Sequence, residues 1–330
     1  MKQRTWISES VASCLAIFLS ACLAGLAWAQ SASSEKTITM IVPFPPGGVA
    51  DTVARPVAEA MSRELKQPIV IDNRVGAGGA LGMGAASRAT GDGQTLLMTL
   101  SSISILPEAD RLLGRKPHYT LDQFKPIARF TADPTVLVVR SEAPWKTLAE
   151  FIADAKRKPG AYNYGSSGNY GTMHVPMEML KAQAGFSITH IPYTGAGPAV
   201  LALLGGQVDA VASGPASVAQ QIKAGKLRAL AHWGDKTLQS LPEVPSLKQL
   251  GYPQFFAQWS GLFVPSSTPE ETVQRLRMAA RKAATDPGVV QTILKAGSPI
   301  EFLDAPAFQA YWDADAKIMV DVVRTIGKVE

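Results

Sequence analysis

Cysteine is almost absent from this chain of 330 residues: Cys14 and Cys22 are the only two, and both lie near the N-terminus. The remaining chain has no thiol for a disulfide or a cysteine-bound metal. A strong charge of one sign is also lacking, since 32 Lys and Arg face 27 Asp and Glu, a net charge of +5. Without a run of five like charges, no nucleic-acid partner is expected. The 46% of hydrophobic residues argue against a disordered chain.

The first 29 residues have the three parts of an export signal. Lys2 and Arg4 carry positive charge, residues 11–26 are apolar and uncharged, and residues 27–29 read Ala-Trp-Ala. This order is typical of a secretory signal peptide that is removed at a small-residue site. We therefore predict that residues 1–29 are a signal peptide and that the mature protein lies in the periplasm.

Two other interpretations of this segment stay open. Residues 19–22, Leu-Ser-Ala-Cys, resemble a bacterial lipobox, in which Cys22 would carry the lipid and anchor the protein. A retained membrane anchor is the other alternative, although the apolar run is shorter than the ~20 residues of a membrane span.

The body of the chain alternates apolar β-type runs with helical periods. Ile38–Val42 is followed by a proline- and glycine-rich loop, then by apolar residues at every fourth position from Val53 to Leu65. Ile69–Ile71 is the next predicted strand. This order predicts parallel α/β architecture. The same rhythm restarts after an apolar run at 135–139, and at about 150 residues per domain the length also favours two α/β lobes.

Four glycine-bearing loops are the main chemical signal, at residues 45–51, 76–79, 165–171 and 194–198. Each follows a predicted strand and precedes a predicted helix. Free N–H groups at a helix N-terminus favour an anion, and ligands of open α/β sheets sit outside the carboxyl ends of the strands. Two such loops from each lobe, facing one cleft, predict a small-anion site. Ordinary turn chemistry is the alternative for each loop taken singly.

Known cofactor and catalytic motifs are incomplete. The glycine runs at 76–81 and 195–200 lack the third glycine of a dinucleotide-binding fingerprint. Ser213 lacks the first glycine of a nucleophile elbow, and the four histidines form no H-x-x-x-H pair for zinc. No cofactor, no metal and no enzyme activity are therefore expected. A spatial arrangement of Ser166 or Ser167 with His174 stays open, and His190 is interpreted as a core residue.

A family resemblance is carried by motifs that follow one another along nearly the whole mature chain. Residues 42–51, Val-Pro-Phe-Pro-Pro-Gly-Gly-Val-Ala-Asp, and residues 71–79, Ile-Asp-Asn-Arg-Val-Gly-Ala-Gly-Gly, resemble two signatures of the Bug/TctC family of extracytoplasmic solute-binding proteins. These are the binding components of tripartite tricarboxylate transporters. Further similar segments lie at residues 164–169, 190–195, 204–209, 225–231, 241–246 and 259–262.

The resemblance implies an α/β fold of the periplasmic-binding-protein type (type II). It has two α/β lobes, a hinge crossed twice and a ligand cleft between the lobes. The first lobe would be discontinuous, residues 36–135 and 256–330, and the second would be 136–255. The expected partners are a small organic acid and the membrane subunits of a tripartite tricarboxylate transporter, and a monomer is expected.

The loops and the resemblance together give one predicted ligand-binding set. Its members are Phe44, Gly48, Val49, Ala50, Asp51, Gly78, Ser101, Ser166, Ser167, Asn169, Tyr170, Thr172, His174, Tyr193 and Asp209.

Three members of this set have specific expectations. Asp51 would repel a carboxylate, so it is predicted to be the N-cap that fixes the first loop, or a partner for an ammonium group. Asp209 would accept an ammonium or hydroxyl group, or cap the turn that precedes it. Tyr170 would stack on an aromatic or larger ligand.

The predicted function is capture of a small carboxylate-bearing molecule by lobe closure and its delivery to a membrane transporter. A ligand-sensing partner of a sensor kinase and a periplasmic hydrolase are the alternatives.

Overall fold

The structure is a computed structural model that describes residues 36–329. The predicted signal peptide, its cleavage site and Cys22 lie outside the described residues. From Thr37 onward the chain forms one compact unit. Among the helices of the described residues, none combines the length and apolar character that a membrane crossing requires.

Eleven strands and ten α-helices are described within residues 36–329. The strands are β1 Ile38–Val42, β2 Ile69–Asn73, β3 Thr95–Leu100, β4 Phe124–Pro134, β5 Val136–Arg140, β6 Asn163–Ser166, β7 Thr189–Pro192, β8 Ala210–Ser213, β9 Leu227–His232, β10 Ala257–Pro265 and β11 Leu303–Asp304. The helices are α1 Val49–Leu65, α2 Ala80–Ser87, α3 Ser102–Leu112, α4 Leu148–Arg157, α5 Val175–Ala184, α6 Ala196–Leu204, α7 Pro215–Lys223, α8 Glu270–Thr285, α9 Pro287–Lys295 and α10 Ala305–Ile326.

Two sheets organise these elements into two lobes. The first sheet has the order β11-β4-β10-β3-β1-β2, with β1 parallel to β2 and β3, and β10 antiparallel to β3 and β4. The second has the order β7-β6-β8-β5-β9, with β6 parallel to β7 and β8, and β5 antiparallel to β8 and β9. We call the parts built on these sheets the first lobe and the second lobe.

Helix α1 shows why the first lobe folds as its sequence predicts. Val53, Val57, Met61 and Leu65 are all buried on one face, and the helix packs against α8 and the first sheet. Burying each such side chain contributes about 1.5–3 kcal/mol. The helix ends at Lys66, whose φ of 56° is left-handed.

The chain crosses between the sheets twice, and the crossings lie side by side. The first crossing, at Thr135, joins β4 to β5, and the second, at Phe256, leads into β10. The Trp233 N–H donates to the Thr135 carbonyl (2.9 Å), and the Phe256 N–H donates to the Trp233 carbonyl (3.1 Å). These bonds tie the two crossings to the end of β9 and form the hinge.

Candidate functional site

The strands that end at the boundary between the lobes lead into helix N-termini. In the first lobe, β1 is followed by α1, which begins after Gly48, and β3 is followed by α3, which begins after Ser101. In the second lobe, β8 is followed by α7, which begins after Gly214. Since the first N–H groups of a helix have no partner within it, these three helix starts favour an anion between the lobes.

The loop after β1 is braced by a charged network around Asp51. The Gly47 N–H donates to Asp51 Oδ2 (2.9 Å), and Arg55 donates to both carboxylate oxygens at 2.8 Å. The Asn73 side-chain amide donates to Asp51 Oδ1 (3.0 Å) and to the Phe44 carbonyl (2.9 Å). Burial by itself would raise the pKa of Asp51, but the hydrogen bonds from Arg55, Gly47 and Asn73 hold it below its ordinary value.

This geometry corrects one expectation. The prediction that Asp51 is the N-cap of the helix is wrong, because α1 begins two residues earlier and Gly48 is the N-cap. The carboxylate instead turns back to the Gly47 N–H and still fixes the loop. Its cationic partner is Arg55 of the same helix, so its charge is already neutralised within the first lobe.

The loop after β6 is braced by neutral groups. Ser166 Oγ and His190 Nε2 lie 2.6 Å apart, and the Gly168 N–H donates to the same hydroxyl (3.1 Å). The Tyr170 N–H donates to His174 Nδ1 (3.1 Å). Burial lowers the pKa of His190 to about 4 and that of His174 still further. Both imidazoles are therefore uncharged at neutral pH, as acceptance by His174 Nδ1 requires.

Glu178 of α5 lies beside these histidines. It accepts hydrogen bonds from the Tyr164 hydroxyl (2.5 Å) and from Lys181 Nζ (2.7 Å). His174 Nε2 is 3.8 Å from Glu178 Oε1 and is buried without a hydrogen-bond partner among the described residues. The histidine ring centroids are 4.3 Å apart, so the cluster is a packed polar core behind the loop.

Glycines bring the two lobes into contact. A Cβ atom on Gly195 would lie 2.4 Å from Pro45 Cδ, and one on Gly168 would lie 3.1 Å from the Gly78 nitrogen. A Cβ atom on Gly214 would lie 2.3 Å from Gln258 Oε1 and 3.1 Å from Val49 Cγ2. Real Cβ atoms are essentially never found under 3.0 Å from other atoms, so a larger side chain at Gly195 would displace Pro45, and one at Gly214 would displace the Gln258 side chain and press on Val49 across the lobe boundary.

A set of buried polar side chains surrounds these contacts. The Gln258 amide of β10 donates to Thr172 Oγ1 of the second-lobe loop, which joins the lobes directly. Other polar atoms are buried without a hydrogen-bond partner in the described part of the chain: Ser102 Oγ, Ser167 Oγ, Ser213 Oγ and Gln258 Oε1. Buried polar groups are normally hydrogen-bonded, so this set is suited to a ligand that carries several oxygen atoms.

A cavity of about 730 Å³ opens beside the Gly78–Gly168 contact. This volume lies in the range of small-molecule sites. Both lobes line it: Gly76, Ala77, Gly78, Ala80, Leu106, Ala109, Asp110, Arg115 and His118 from the first, and Gly168, Asn169, Tyr170, Pro192, Tyr193 and Thr194 from the second. Arg115 is held at the rim by Asp110, whose Oδ1 is 2.9 Å from its Nη2.

The predicted residues fall into three groups. Gly78, Asn169, Tyr170 and Tyr193 line the cavity. The others that belong to the loops and helix starts at the lobe boundary are Phe44, Gly48, Val49, Ala50, Asp51, Ser101, Ser166, Ser167, Thr172 and His174.

Asp209 is placed apart from both groups. It precedes β8, at the opposite end of that strand from Ser213, and its carboxylate accepts the Asn163 N–H (2.9 Å). The Asp209 N–H in turn donates to the Asn163 side chain (3.1 Å). This pair joins β6 and β8 away from the lobe boundary.

Several site residues were missed by the sequence reasoning. Gln258 carries an amide side chain in the fully buried strand β10. A single amide in an otherwise apolar run is a pattern in the sequence that could have indicated a site residue. Ser102, Ser213 and Arg115 carry no comparable pattern. No group of three or more His, Cys, Asp or Glu residues that could hold a metal ion occurs within residues 36–329.

Two α/β lobes with a double-crossing hinge, and polar groups from both lobes at their boundary, define the class of periplasmic solute-binding proteins. The model of the TctC family, the tripartite tricarboxylate transporter family receptor, matches residues 53–316. The chain belongs to this family.

Three relatives illustrate the similarity. The protein BugT of Bordetella pertussis is 34% identical over 278 residues, which cover 83% of this chain and 85% of BugT. The structure of MatC from Rhodopseudomonas palustris with bound malate is 29% identical, with a TM-score of 0.80, and the match covers 87% of this chain and 98% of MatC. An R. palustris protein solved with adipate is 27% identical with a TM-score of 0.82, over 88% of this chain and 97% of that protein.

Proposed function

We propose that this protein captures a small carboxylate-bearing organic molecule between its lobes and delivers it to the membrane subunits of a tripartite tricarboxylate-type transporter. In this proposal it works as a monomer in the periplasm after removal of residues 1–29. Its lobes would be residues 36–135 with 256–330, and residues 136–255. It binds and releases its ligand without chemical change.

The observation that carries the proposal is the set of buried polar atoms without partners at the lobe boundary. Ser102 and Gln258 belong to the first lobe, and Ser167 and Ser213 to the second. The serine hydroxyls and the helix starts after Gly48, Ser101 and Gly214 provide hydroxyl and N–H donors from both sides, whereas Gln258 Oε1 is an acceptor suited to a hydroxyl or N–H group of the ligand. Each hydrogen bond to a carboxylate contributes about 1.5–3 kcal/mol, so a ligand bonded to both lobes would favour closure.

The charge distribution supports a ligand that is bound mainly by neutral donors. Asp51 is neutralised by Arg55, and the histidines of the second loop are uncharged. Hydrogen bonds from neutral N–H groups to an ionised acceptor are strong. The malate and adipate bound by the two R. palustris relatives are both carboxylates, and this favours the same chemical class for this chain.

The test is a titration of the purified protein with a panel of carboxylates and the matching amides and alcohols. We expect at least one carboxylate to raise the melting temperature and to reduce the radius of gyration in solution scattering. Amides and alcohols of the same carbon skeleton should do neither. No stabilisation and no compaction with any acid would refute the proposal.

The Ser166–His190 contact supports a second candidate, a hydrolase, because a serine hydroxyl 2.6 Å from an imidazole resembles an activated nucleophile. Against it, Ser166 is fully buried and its hydroxyl already accepts the Gly168 N–H. Turnover of an ester substrate that is lost in Ser166→Ala and in His190→Gln would establish this alternative.

A further inference from the structure

Tyr170 stands in the second-lobe loop but directs its hydroxyl to the far end of the chain. The residue is 1% exposed, and its φ of 55° is left-handed. Its N–H donates to His174 Nδ1 within the same lobe. Its hydroxyl donates to the Gly327 carbonyl (2.8 Å) and accepts the Val329 N–H (3.1 Å). The side chain therefore links the loop to the residues that follow α10.

Helix α10 is attached to the first lobe along its length. Phe308 packs edge-on against Trp259 of β10, with ring centroids 5.4 Å apart. Ser104 of α3 donates to Asp315 Oδ2 (2.8 Å), and Arg324 Nε lies 2.8 Å from Glu108 Oε1 of the same helix. Helix α10 also contacts α5 of the second lobe, but the hydrogen bond and the ion pair above hold it to α3, and Gly327 follows directly.

The two hydrogen bonds of the Tyr170 hydroxyl thus connect the second-lobe loop to the tail that follows α10, and Gly327 and Val329 are not among the residues that line the cavity. The Tyr170 side chain is buried, whereas Gly327 and Val329 are half-buried, so the two bonds are partly shielded from water.

We propose that residues Gly327–Val329 form a latch on the Tyr170 hydroxyl, and that the latch holds the second-lobe loop in its ligand-binding arrangement when the lobes meet. Tyr170 is then a positioning residue, and its hydroxyl does not contact the ligand. This inference rests on the proposed function only in its second half, the effect on ligand release. An opening in which α10 stays on the first lobe breaks both bonds, so their loss should speed that opening.

The first experiment needs no ligand. Hydrogen–deuterium exchange of the purified protein is compared between wild type, Tyr170→Phe and Tyr162→Phe. The control is matched because the Tyr162 hydroxyl also has two partners, Asp154 and Lys158, but both lie within the second lobe. We expect Tyr170→Phe to increase amide exchange about tenfold, the effect of about one net hydrogen bond, at residues 166–172 and at 327–329. Equal exchange in Tyr170→Phe and the control would overturn the latch.

A second variant tests whether the two ends act together. Gly327 has a φ of 71°, so Gly327→Ala strains the tail without touching the loop. Gly225→Ala is its control, because Gly225 has a φ of 68° and, like Gly327, has open space where a Cβ would stand. Tyr170→Phe and Gly327→Ala should each raise exchange of the loop, and the double variant should add little further. If the increases in amide exchange of the two single variants added fully in the double variant, Tyr170 and Gly327 would not share one interaction.

The ligand arm uses adipate as the probe. We expect Tyr170→Phe to release adipate about tenfold faster than wild type and Tyr162→Phe to release it at the wild-type rate. Unchanged release together with raised exchange would confine the latch to the ligand-free protein and refute its role in binding. If wild type binds neither adipate nor malate, that result counts against the proposed function, and the exchange experiment still decides the latch.

Discussion

The loop after β1 and the loop after β6, one from each lobe, are held in opposite ways. The first-lobe loop depends on the ion pair of Asp51 with Arg55, whereas the second-lobe loop depends on His174 and His190 in their neutral forms. The Asp51 and His174 side chains are similarly buried, at 3% and 0% exposed, so the difference lies in their partners. Asp51 is paired with Arg55, whose side chain is 52% exposed, whereas His174 Nδ1 accepts a backbone N–H. An isolated charge in the dry interior is costly, so the buried carboxylate is paired with a cation and the imidazole stays neutral.

The largest effect on ligand binding should come from breaking the contact between the lobes at Gly214. Gly214→Val places a branched side chain against Gln258 and Val49, so the lobes should no longer meet. We expect carboxylate binding to weaken by about a hundredfold, or about 3 kcal/mol, with a small change in melting temperature. Isothermal titration calorimetry gives the affinity. Gly197→Ala is the control, because a Cβ there has open space; wild-type binding by Gly214→Val would show that the contact is dispensable.

The charged brace should be the more costly of the two to remove. Asp51→Asn weakens the bonds to Arg55 and Gly47, and we expect the free energy of unfolding to fall by about 2 kcal/mol. Denaturant titration measures this change. Asp72→Asn is the matched control, since its ion pair with Arg74 is exposed and should contribute about 0–1 kcal/mol. Equal losses in the two variants would contradict a special role for Asp51.

The neutral brace depends on an acceptor at the position of His174 Nδ1. His174→Leu leaves the Tyr170 N–H unpaired, and we expect the free energy of unfolding to fall by about 1–2 kcal/mol. His174→Asn offers an oxygen near the same place and should recover part of this loss. Denaturant titration of both variants tests the idea, and a larger loss in His174→Asn than in His174→Leu would argue that packing, not acceptance, is what matters.

Acid should affect the two loops in different pH windows. The pKa of His190 is lowered by burial from 6.5 to about 4, so its stabilising contribution is present above about pH 6.5 and is lost as pH falls toward 4. The pKa of Asp51 is lowered from 3.8, so its contribution is lost only below that value. Two differences in melting temperature are measured between pH 7 and pH 5. The melting temperature of wild type minus that of His190→Gln should fall as the pH is lowered, whereas the melting temperature of wild type minus that of Asp51→Asn should stay constant. If both differences in melting temperature stayed constant, the two loops would not differ in their response to acid.

Local patterns predict the strand, loop and helix order around both loops. The β1 strand, the glycine-rich turn and the apolar face of α1 are local patterns, and the structure has all three. The TctC family predicted from those motifs is confirmed by the family model. By contrast, β4 and α3 were not predicted, because Pro126 and Pro107 interrupt their patterns and tertiary packing overrides this.

The hydrogen bonds at the site that could not be predicted join residues that are distant in sequence. Thr172 and Gln258 are 86 residues apart, and Tyr170 and Gly327 are 157 apart. Single residues such as Thr172, Tyr170 and Gln258 can be noticed in the sequence, but their pairing cannot, because each bond joins segments that only the folded lobes bring together. The same holds for Ser166 and His190, whose strands β6 and β7 must first pair in parallel.

The placement of the hinge gives the cleft a mechanical asymmetry. Both crossings lie beside β10, whereas Pro45 follows β1, which is two strands farther across the first sheet. At about 4.8 Å per strand, the Pro45–Gly195 contact is on a lever arm of about 10 Å. A given rotation therefore moves Pro45 farther than Gln258, which stands on β10 itself. In the proposed closure, the outer edge of the cleft would therefore move most, and the Thr172–Gln258 contact near the axis would move least.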